Sequence, residues 1–311
     1  MINPTPPISK DPGAPQTAPL RCGTVALVGR PNVGKSTLLN HLIGQKISIT
    51  SRKPQTTRTR VTGVLTRAQT QFIFVDTPGY QTRHLNALNR ALNRSVLTTF
   101  QEVDVLLLVI EALQWGSADQ QVLDCIPAAM QPLLVINKID RVKPKSDLLP
   151  FLQQLGTNPR FAAIFPLSAN HDTQFDALLQ GIAQGLPEGP WQYDADDLTD
   201  SSSRFLAAEL IREQLFRLLG EELPYATNVQ VDSYVQEGAL HRIQATIVVD
   251  HANQKAMVIG RKGEKLKDIG TRARQNIEKL VAGKVYLTLW VKVKGGWADD
   301  VRALKQLGLD V

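Results

Sequence analysis

The feature that most constrains the fold is a glycine-rich octapeptide that follows the apolar segment 24–28. It matches the pattern Gly-x-x-x-x-Gly-Lys-Ser, and its residues are Gly29, Arg30, Pro31, Asn32, Val33, Gly34, Lys35 and Ser36, followed by Thr37. Glycines at this spacing let backbone N–H groups wrap a phosphate chain, and the helix that follows points its positive end at the anion. The pattern therefore predicts a strand, a phosphate-binding loop and a helix.

Two side chains of this loop have predicted tasks of their own. Lys35 is expected to reach the β and γ phosphates of a nucleotide, and Ser36 to ligate Mg²⁺. The competing interpretation is a glycine-rich turn that binds nothing. It is the weaker one, because a strand before the loop and a helix after it are the context that the phosphate-binding motif requires.

A second motif follows the apolar segment 72–75, and its residues are Asp76, Thr77, Pro78, Gly79 and Tyr80. An aspartate at the carboxyl end of a strand lies where open α/β sheets bind ligands, so Asp76 is predicted to hold Mg²⁺ through water. Gly79 is predicted to turn its N–H toward a γ-phosphate. Alone, this sequence is equally typical of a plain turn, but after a phosphate loop it indicates a switch segment.

A third motif selects the base, and its residues are Asn137, Lys138, Ile139 and Asp140. The Asp140 carboxylate can accept two hydrogen bonds from guanine that adenine does not offer, so the motif predicts GTP rather than ATP. Asn137 is expected to brace the loop, and Lys138 to lay its stem along the base. Ser168 and Ala169 follow another apolar segment and are expected to offer a backbone N–H to guanine O6, although a Ser-Ala pair is also common in plain loops.

Four regions follow one another along the chain. Residues 1–20 hold six of the 18 prolines and are expected to be a flexible tail. In residues 21–185, apolar segments alternate with segments of helical period, which predicts an α/β domain with a mostly parallel sheet. Residues 186–203 carry five acids and no base, which favours a linker. Residues 204–311 predict an α+β domain with a C-terminal extension.

Composition excludes several classes of protein. The longest uninterrupted apolar run is six residues, whereas a membrane-spanning helix needs about 20. Cys22 and Cys125 match no metal-ligand or redox spacing. We therefore expect a cytoplasmic protein without structural disulfides.

The second domain contains a dense basic segment. Residues 255–294 carry eleven basic and three acidic side chains, in a chain whose total charge is +6, and such a density favours a polyanionic partner. Its centre is a Gly-x-x-Gly loop between two helical segments, which is the KH signature for gripping about four nucleotides of single-stranded RNA. The predicted RNA-binding residues are Val258, Ile259, Gly260, Arg261, Lys262, Gly263, Lys265 and Lys267.

The order of the motifs in the first domain resembles the small GTPases related to translation factors. That resemblance implies that Thr57 closes over Mg²⁺ and the γ-phosphate in the GTP state, with Thr56 as the alternative register. Residues 45–75 carry six basic side chains and no acid. A solvated face and a surface that touches RNA or a membrane are equally open interpretations of this charge.

Tyr80 stands where Ras-like GTPases carry a glutamine that orients the attacking water. We therefore expect slow intrinsic hydrolysis of GTP to GDP and phosphate. In GTPases similar to this one, an asparagine at the position of Asn32 can hold K⁺ in the place of an arginine finger. Asn32 is accordingly a candidate potassium ligand.

Taken together, the motifs resemble the bacterial Era GTPases, in which a P-loop GTPase domain precedes a type II KH domain. The resemblance covers about residues 21–311 and also includes Leu223, Pro224, Tyr225 and the C-terminal segment 289–300. It assigns catalytic roles to Lys35, Thr57, Asp76 and Gly79.

This resemblance implies a monomeric factor that binds the 3′ end of small-subunit ribosomal RNA and assists maturation of the 30S subunit, with the GTP state controlling its grip. It also implies peripheral association with the cytoplasmic face of the inner membrane. Two alternatives stay open: an RNA-binding chaperone whose nucleotide site is mainly structural, and a membrane-associated regulatory GTPase.

Overall fold

The computed structural model describes residues 19–81, 87–171, 175–220 and 222–297. Residues 1–18 of the expected tail and residues 298–300 of the C-terminal segment lie outside this part of the chain. The described residues form an α/β domain followed by an α+β domain, which confirms the predicted fold class.

A six-stranded sheet forms the centre of the first domain. Its strands are β1 (Arg21–Val28), β2 (Val61–Arg67), β3 (Thr70–Asp76), β4 (Val105–Glu111), β5 (Leu133–Asn137) and β6 (Ala163–Pro166). The helices around it are α1 (Lys35–Ile43), α2 (Ala87–Thr99), α3 (Ser117–Cys125), α4 (Leu148–Gly156) and α5 (Phe175–Gly185). The strand order is β2-β3-β1-β4-β5-β6, and only the β2–β3 pair is antiparallel.

Both faces of this sheet are buried. Val25 and Leu27 of β1 belong to one apolar cluster, whereas Ala26 and Val28 belong to the cluster on the other face. From β1 the chain leads first to β2 and β3 on one side of that strand and then crosses to β4, β5 and β6 on the other side. This reversal of strand order places the topological switch point beside β1. Ligands bind at such a point, outside the carboxyl ends of the strands.

Strand β2 was missed by the sequence analysis, and the acidic segment 186–203 is bonded to it. The Val64 N–H donates to the Leu198 carbonyl at 2.9 Å, and the Thr199 hydroxyl donates to the Thr62 carbonyl at 2.5 Å. The linker therefore covers the edge of the sheet, where unpaired backbone groups would otherwise be exposed.

The second domain contains a three-stranded sheet. Its elements are α6 (Ser203–Leu218), β7 (Thr227–Glu237), β8 (Leu240–Val249), α7 (Ala252–Ile259), α8 (Glu264–Val281) and β9 (Lys284–Val293). Strands β7 and β8 are antiparallel and joined at Gly238, which has a φ of 61°, whereas β8 and β9 are parallel. Helices α6 and α8 cover one face of the sheet, where Ile243, Ile247, Ile211 and Ile269 share a core.

Candidate nucleotide site and nucleic-acid interface

A cavity of about 520 Å³ opens at the carboxyl ends of β1, β3 and β5, a volume typical of small-molecule sites. The predicted residues that line it are Pro31, Asn32, Gly34, Lys35, Ser36, Thr37, Thr57, Gly79, Asn137, Lys138 and Ala169. The three sequence motifs therefore meet in one cavity, although they lie far apart along the chain.

Two glycines of the phosphate loop occupy positions that only glycine fits. Gly29 has a φ of 147°, and a Cβ there would lie 2.3 Å from the Val109 carbonyl oxygen. Gly34 has a φ of 105°, and a Cβ there would lie 2.2 Å from Nδ2 of Asn137. The loop is thus packed directly against β4 and the base-selecting segment.

Lys35 is buried at the start of α1. Its Nζ donates to the carbonyls of Gly29 at 3.1 Å and Arg30 at 3.0 Å, so the ammonium group lies within the loop. Burial lowers the pKa of Lys35 to about 8, while the charge of Asp76 opposes that change. The side chain is a cation enclosed by carbonyl oxygens.

Asp76 is fully buried and surrounded by hydroxyl groups. Its Oδ2 accepts hydrogen bonds from Ser36 at 2.5 Å, Ser48 at 2.8 Å and Thr57 at 3.5 Å, and Ser36 and Thr57 lie 2.9 Å apart. Its Oδ1 is buried and has no partner among the described residues. Burial raises the pKa of this carboxyl, although the charge of Lys35 and the three hydrogen bonds oppose that change. A cation beside Oδ1 would further stabilise the ionised form.

This oxygen cluster fits Mg²⁺, which prefers hard oxygen ligands and is held by one or two carboxylates together with phosphates and waters. Within the described ranges, no group of three His, Cys, Asp or Glu side chains is arranged to hold a metal. The donor set is one unsatisfied carboxylate oxygen beside the Ser36 and Thr57 hydroxyls. Thr56 also lines the cavity, but its hydroxyl donates to the Lys53 carbonyl at 2.8 Å and not to Asp76.

The segment after Asp76 runs close to the phosphate loop. Thr77 is buried and donates to the Leu27 carbonyl at 2.7 Å. A Cβ on Gly79 would lie 2.7 Å from both Cα and N of Pro31. The Tyr80 N–H donates to the Gly29 carbonyl at 3.2 Å, but its phenol oxygen accepts from Cys125 Sγ at 3.2 Å. The ring of Tyr80 is thus directed away from the cavity.

The base-selecting segment is held by a short hydrogen-bond network. Asn137 donates to the Val33 carbonyl at 2.8 Å and accepts from the N–H groups of Lys138 at 2.7 Å and Ala169 at 2.8 Å. Lys138 adopts a φ of 64° and donates to the Asn32 carbonyl at 2.7 Å. Asn137 therefore ties the phosphate loop to the loop after β6.

The Asp140 carboxylate is held in position by the other predicted pair. The Ser168 hydroxyl donates to Asp140 Oδ1 at 2.5 Å. This hydrogen bond is the main cause that lowers the pKa of Asp140. The carboxylate is therefore ionised at neutral pH and presents acceptor oxygens.

The Gly-x-x-Gly loop joins α7 to α8. Gly260 has a φ of 73° and Gly263 a φ of 81°, and a Cβ on Gly260 would lie 2.6 Å from Cβ of Lys265. The basic side chains Arg261, Lys262, Lys265 and Lys267 are exposed. Val258 is different, because its side chain is fully buried in the domain core, so the prediction that it contacts RNA is corrected to a packing role.

The basic segment before β2 contacts the second domain through some of its cations, a role that the sequence did not predict. Lys46 forms an ion pair with the buried Glu213 of α6, and the Thr50 N–H donates to Glu213 Oε1 at 3.0 Å. Lys53 Nζ donates to the carbonyls of Leu219 at 2.6 Å and Gly220 at 3.0 Å. Lys46 and Lys53 therefore hold the second domain, whereas Arg52 of the same segment is exposed.

Arg58 is the most deeply buried cation of this segment, with 4% of its surface exposed. Its guanidinium donates to three carbonyl oxygens of the second domain, those of Thr227 at 2.8 Å, Tyr225 at 3.0 Å and Pro224 at 3.3 Å. It also lies 5.8 Å from the ring centroids of both Phe216 and Trp297. Burial lowers the pKa of Arg58, as does the nearby charge of Arg212.

The sequence carried a signal for this interface that the analysis did not use. Helix α6 buries the consecutive polar residues Arg212, Glu213 and Gln214 together with apolar ones. A helix that is buried on several faces lies between two bodies rather than on a surface.

In the part of the chain that the structure describes, no helix is long and apolar enough to cross a membrane.

Comparisons with known proteins agree with this architecture. A family model described as "50S ribosome-binding GTPase" matches residues 24–138, and a "KH domain" model matches residues 222–298. The fold and the cavity define a P-loop GTPase joined to a KH domain.

Curated relatives narrow this class. The chain is 54% identical to GTPase Era of Nitrosomonas eutropha over 93% of this chain and 98% of the relative. It is 53% identical to GTPase Era of Chromobacterium violaceum over 94% of this chain and 99% of the relative. The chain belongs to the Era family of GTPases.

Two solved Era structures are also similar to this chain. One is a variant of Aquifex aeolicus Era bound to GDP and aluminium fluoride. The other is Era in complex with MgGDPNP and nucleotides 1506–1542 of 16S ribosomal RNA. Each matches with a TM-score of 0.90 and 37% identity, covering 94% of this chain and 100% of the solved chain.

Proposed function

We propose that this GTPase is a switch whose nucleotide state controls how the KH domain holds the 3′ end of small-subunit ribosomal RNA during maturation of the 30S subunit. One observation carries the proposal. The segment 46–58 contacts the nucleotide cavity through Thr57 and the KH domain through Lys53 and Arg58. The Era relative crystallised with MgGDPNP and 16S ribosomal RNA supports the identity of the two ligands.

In this proposal the phosphate loop, from Gly29 to Thr37, wraps the nucleotide with the backbone N–H groups of its residues other than Pro31. The Lys35 ammonium exchanges its bonds to loop carbonyls for bonds to the β and γ phosphate oxygens. Asp140 accepts the guanine N–H groups, with Ser168 fixing its orientation. The Ala169 N–H donates to Asn137 Oδ1 and would exchange that bond for one to guanine O6.

Ser36 and Thr57 would hold Mg²⁺ directly, and Asp76 would hold it through water. When bound, the ion neutralises charge on the β and γ phosphates. The Thr57 side chain reaches this position only while the segment 46–58 is closed over the cavity. The Gly79 N–H would bond the γ-phosphate, so both switch segments sense the phosphate that hydrolysis removes.

Hydrolysis is attack by a water oxygen on the γ-phosphorus, with cleavage of its bond to the β–γ bridging oxygen and departure of GDP. The Tyr80 ring lies against Cys125, so it does not orient that water. This arrangement supports slow intrinsic turnover. We expect any acceleration to come from another cation or from a partner.

Asn32 supports K⁺ as that cation. It has a φ of 65°, and its Nδ2 donates to the Arg52 carbonyl at 2.9 Å, so its side-chain amide is held in the lining of the cavity. We expect GTP turnover to be faster in K⁺ than in Na⁺, and Asn32→Ala to abolish the difference. Equal turnover in both salts, or a K⁺ effect that survives the substitution, contradicts this assignment.

The RNA contact is assigned to the loop between α7 and α8. The exposed Arg261, Lys262, Lys265 and Lys267 would contact phosphates, while Gly260 and Gly263 allow close backbone approach. Ile259 completes the apolar side of the loop. GTP and RNA then favour the same arrangement of the domains, and linkage requires each to tighten binding of the other equally.

The test compares one protein in three states. The affinity of a single-stranded RNA from the 3′ end of small-subunit ribosomal RNA is measured at one salt concentration for protein with a non-hydrolysable GTP analogue, with GDP and without nucleotide. We expect tighter binding with the analogue alone. Equal affinity in all three states contradicts the coupling and favours the chaperone alternative.

The membrane alternative is tested by flotation with anionic vesicles, with and without competing RNA. Binding to vesicles that is insensitive to RNA, together with no measurable RNA affinity, would favour a membrane-associated regulatory GTPase instead.

A further inference from the structure

The second sheet exposes two large aromatic side chains on the face that the helices leave uncovered. Tyr286 is 58% and Trp290 is 63% exposed. Both lie on β9, one of the two edge strands of the sheet, whose order is β7-β8-β9. Because side chains alternate between the faces of a strand, residues four positions apart share one face, and their Cα atoms lie about 13 Å apart.

The exposure of these two rings does not result from an irregularity in β9. The alternate residues Val285, Leu287, Leu289 and Val291 contribute to the core under α8, so β9 keeps a regular inward and outward pattern. Trp290 continues this alternating strand without packing in the core. The other tryptophan of the C-terminal segment, Trp297, is fully buried.

Cations surround the two rings. Arg242 of β8 is paired in register with Tyr286, and its guanidinium carbon lies 5.6 Å from the centroid of that ring. Lys284 and Lys292 are exposed on the same face of β9, one beyond each aromatic residue. The rings are therefore framed by two positive charges on β9 and one on β8.

Two acidic residues of β7 bond to side chains of this face. Glu237 forms an ion pair with Arg242, and Asp232 accepts a hydrogen bond from Thr246 at 2.7 Å. Polar side chains fill the space between the rings, including Thr288 on β9. Alternating aromatic and cationic side chains suit bases and phosphates, whereas a lipid surface or a protein core would favour a continuous apolar patch.

We propose that this face is a second RNA-binding surface, on which two unpaired bases stack against Tyr286 and Trp290 while Lys284, Lys292 and Arg242 contact the phosphates. The proposal rests on the proposed function, since it takes a further stretch of the same RNA. Aromatic side chains on exposed sheets of other folds stack two or three bases in this way. The surface is separate from the Gly-x-x-Gly loop, because it lies on the opposite face of the sheet from α8.

The test uses the full chain loaded with a non-hydrolysable GTP analogue and two RNAs from the 3′ end of small-subunit ribosomal RNA: a tetranucleotide, which suffices for the Gly-x-x-Gly loop, and a longer fragment. We expect the double variant Tyr286→Ala, Trp290→Ala to lose at least about tenfold affinity for the longer RNA, since each stacked base contributes substantially. Its affinity for the tetranucleotide should be unchanged. Leu149→Ala, which changes another exposed side chain, is the control.

A spectroscopic measurement separates stacking from a loss of fold. Trp290 is the exposed tryptophan of the KH sheet, so bound RNA should quench its emission. Trp290→Phe should keep the affinity for the longer RNA and lose that quenching. Replacing Lys284 and Lys292 with Gln should weaken binding of the longer RNA and reduce its salt dependence.

The outcomes distinguish this proposal from the proposed function. If the unmodified protein binds neither RNA, the proposed function fails. If it binds both RNAs and the double variant binds them equally well, only the second surface is wrong. If the double variant loses binding to anionic vesicles while its RNA affinity is unchanged, the face is a lipid-binding surface and the RNA assignment is overturned.

Discussion

Thr57 and Arg58 are neighbours in the chain whose side chains contact different domains. The Thr57 hydroxyl lies 2.9 Å from Ser36 Oγ in the nucleotide cavity. The Arg58 guanidinium donates to the Thr227 carbonyl of the KH domain at 2.8 Å. A displacement of the backbone at Thr57 therefore moves the buried cation that binds the second domain. This pair is one direct covalent connection between the cavity and the KH domain.

The first prediction removes that connection. Arg58→Ala eliminates hydrogen bonds from a buried cation to three carbonyls, and we expect it to weaken docking of the domains by about 2 to 3 kcal/mol. GTP binding should persist, since Thr57 is retained. The measurement is the ratio of RNA affinities with GTP analogue and with GDP, which should fall toward one.

Two further variants test the geometry of this contact. Arg58→Lys should give an intermediate ratio, because one ammonium group cannot replace a planar guanidinium that binds several carbonyls. Arg94→Ala, at an exposed position on α2, should leave the ratio unchanged. A ratio in Arg58→Ala equal to that of the unmodified protein would refute the connection.

The second prediction concerns the close approach of the two loops at the γ-phosphate position. A Cβ on Gly79 would lie 2.7 Å from Pro31 backbone atoms, so Gly79→Ala forces the loops apart. We expect affinity for a GTP analogue to fall at least about tenfold and affinity for GDP to change much less. Fluorescent-nucleotide titration measures both, with Gly156→Ala, where a Cβ meets open space, as the control. Equal losses for the two nucleotides would contradict the assignment of Gly79.

The third prediction concerns the base. Asp140→Asn replaces an acceptor of the guanine N–H groups with a donor, so we expect GTP affinity to fall by about 100-fold or more and a xanthine nucleotide to bind instead. Ser168→Ala removes the hydrogen bond that orients the carboxylate and should cost about tenfold. Competition titrations with GTP and XTP check both, with the exposed Asp147→Asn as the control. Retained guanine preference in Asp140→Asn would exclude this role.

The fourth prediction concerns the linker. The Gln71 side chain is fully buried, accepts from the N–H groups of Gln192 at 2.8 Å and Tyr193 at 3.0 Å, and donates to the Tyr193 carbonyl at 2.9 Å. Gln71→Ala should reduce the free energy of unfolding by about 1 to 3 kcal/mol. It should also speed chymotrypsin cleavage after Trp191 and Tyr193.

Gln121→Ala, at an exposed position on α3, is the matched control for the linker experiment. If Gln71→Ala leaves the cleavage rate at Trp191 and Tyr193 unchanged, the linker is held by its backbone bonds to β2 and Gln71 is not needed.

The GTPase motifs could be predicted because each one is local. A run such as 29–36 encodes its own loop. The apolar runs 105–110 and 133–136 mark the strands β4 and β5, each of which extends one residue further at the carboxyl end. The fold class and the clustering of the three motifs follow from the rule that parallel strands end at one edge of the sheet.

Long-range polar contacts could not be predicted in the same way. Ser48 and Glu213 acquire their roles only when distant segments meet, and nothing in the local pattern distinguishes them from surface residues. Arg58 was included in a basic segment whose partner the sequence did not identify. Strand β2 was missed because its alternation is weak, and an edge strand needs less apolar character when another segment covers it.

The bonding of the linker to β2 limits how the KH domain can move. Thr199 is fixed to Thr62, and α6 begins at Ser203, so the free tether is only about 14 Å long when fully extended. A KH domain that undocks therefore pivots about this short hinge and remains at a high effective concentration near its docking surface. Resetting the switch is an intramolecular event, whose rate does not depend on how much of the protein the cell contains.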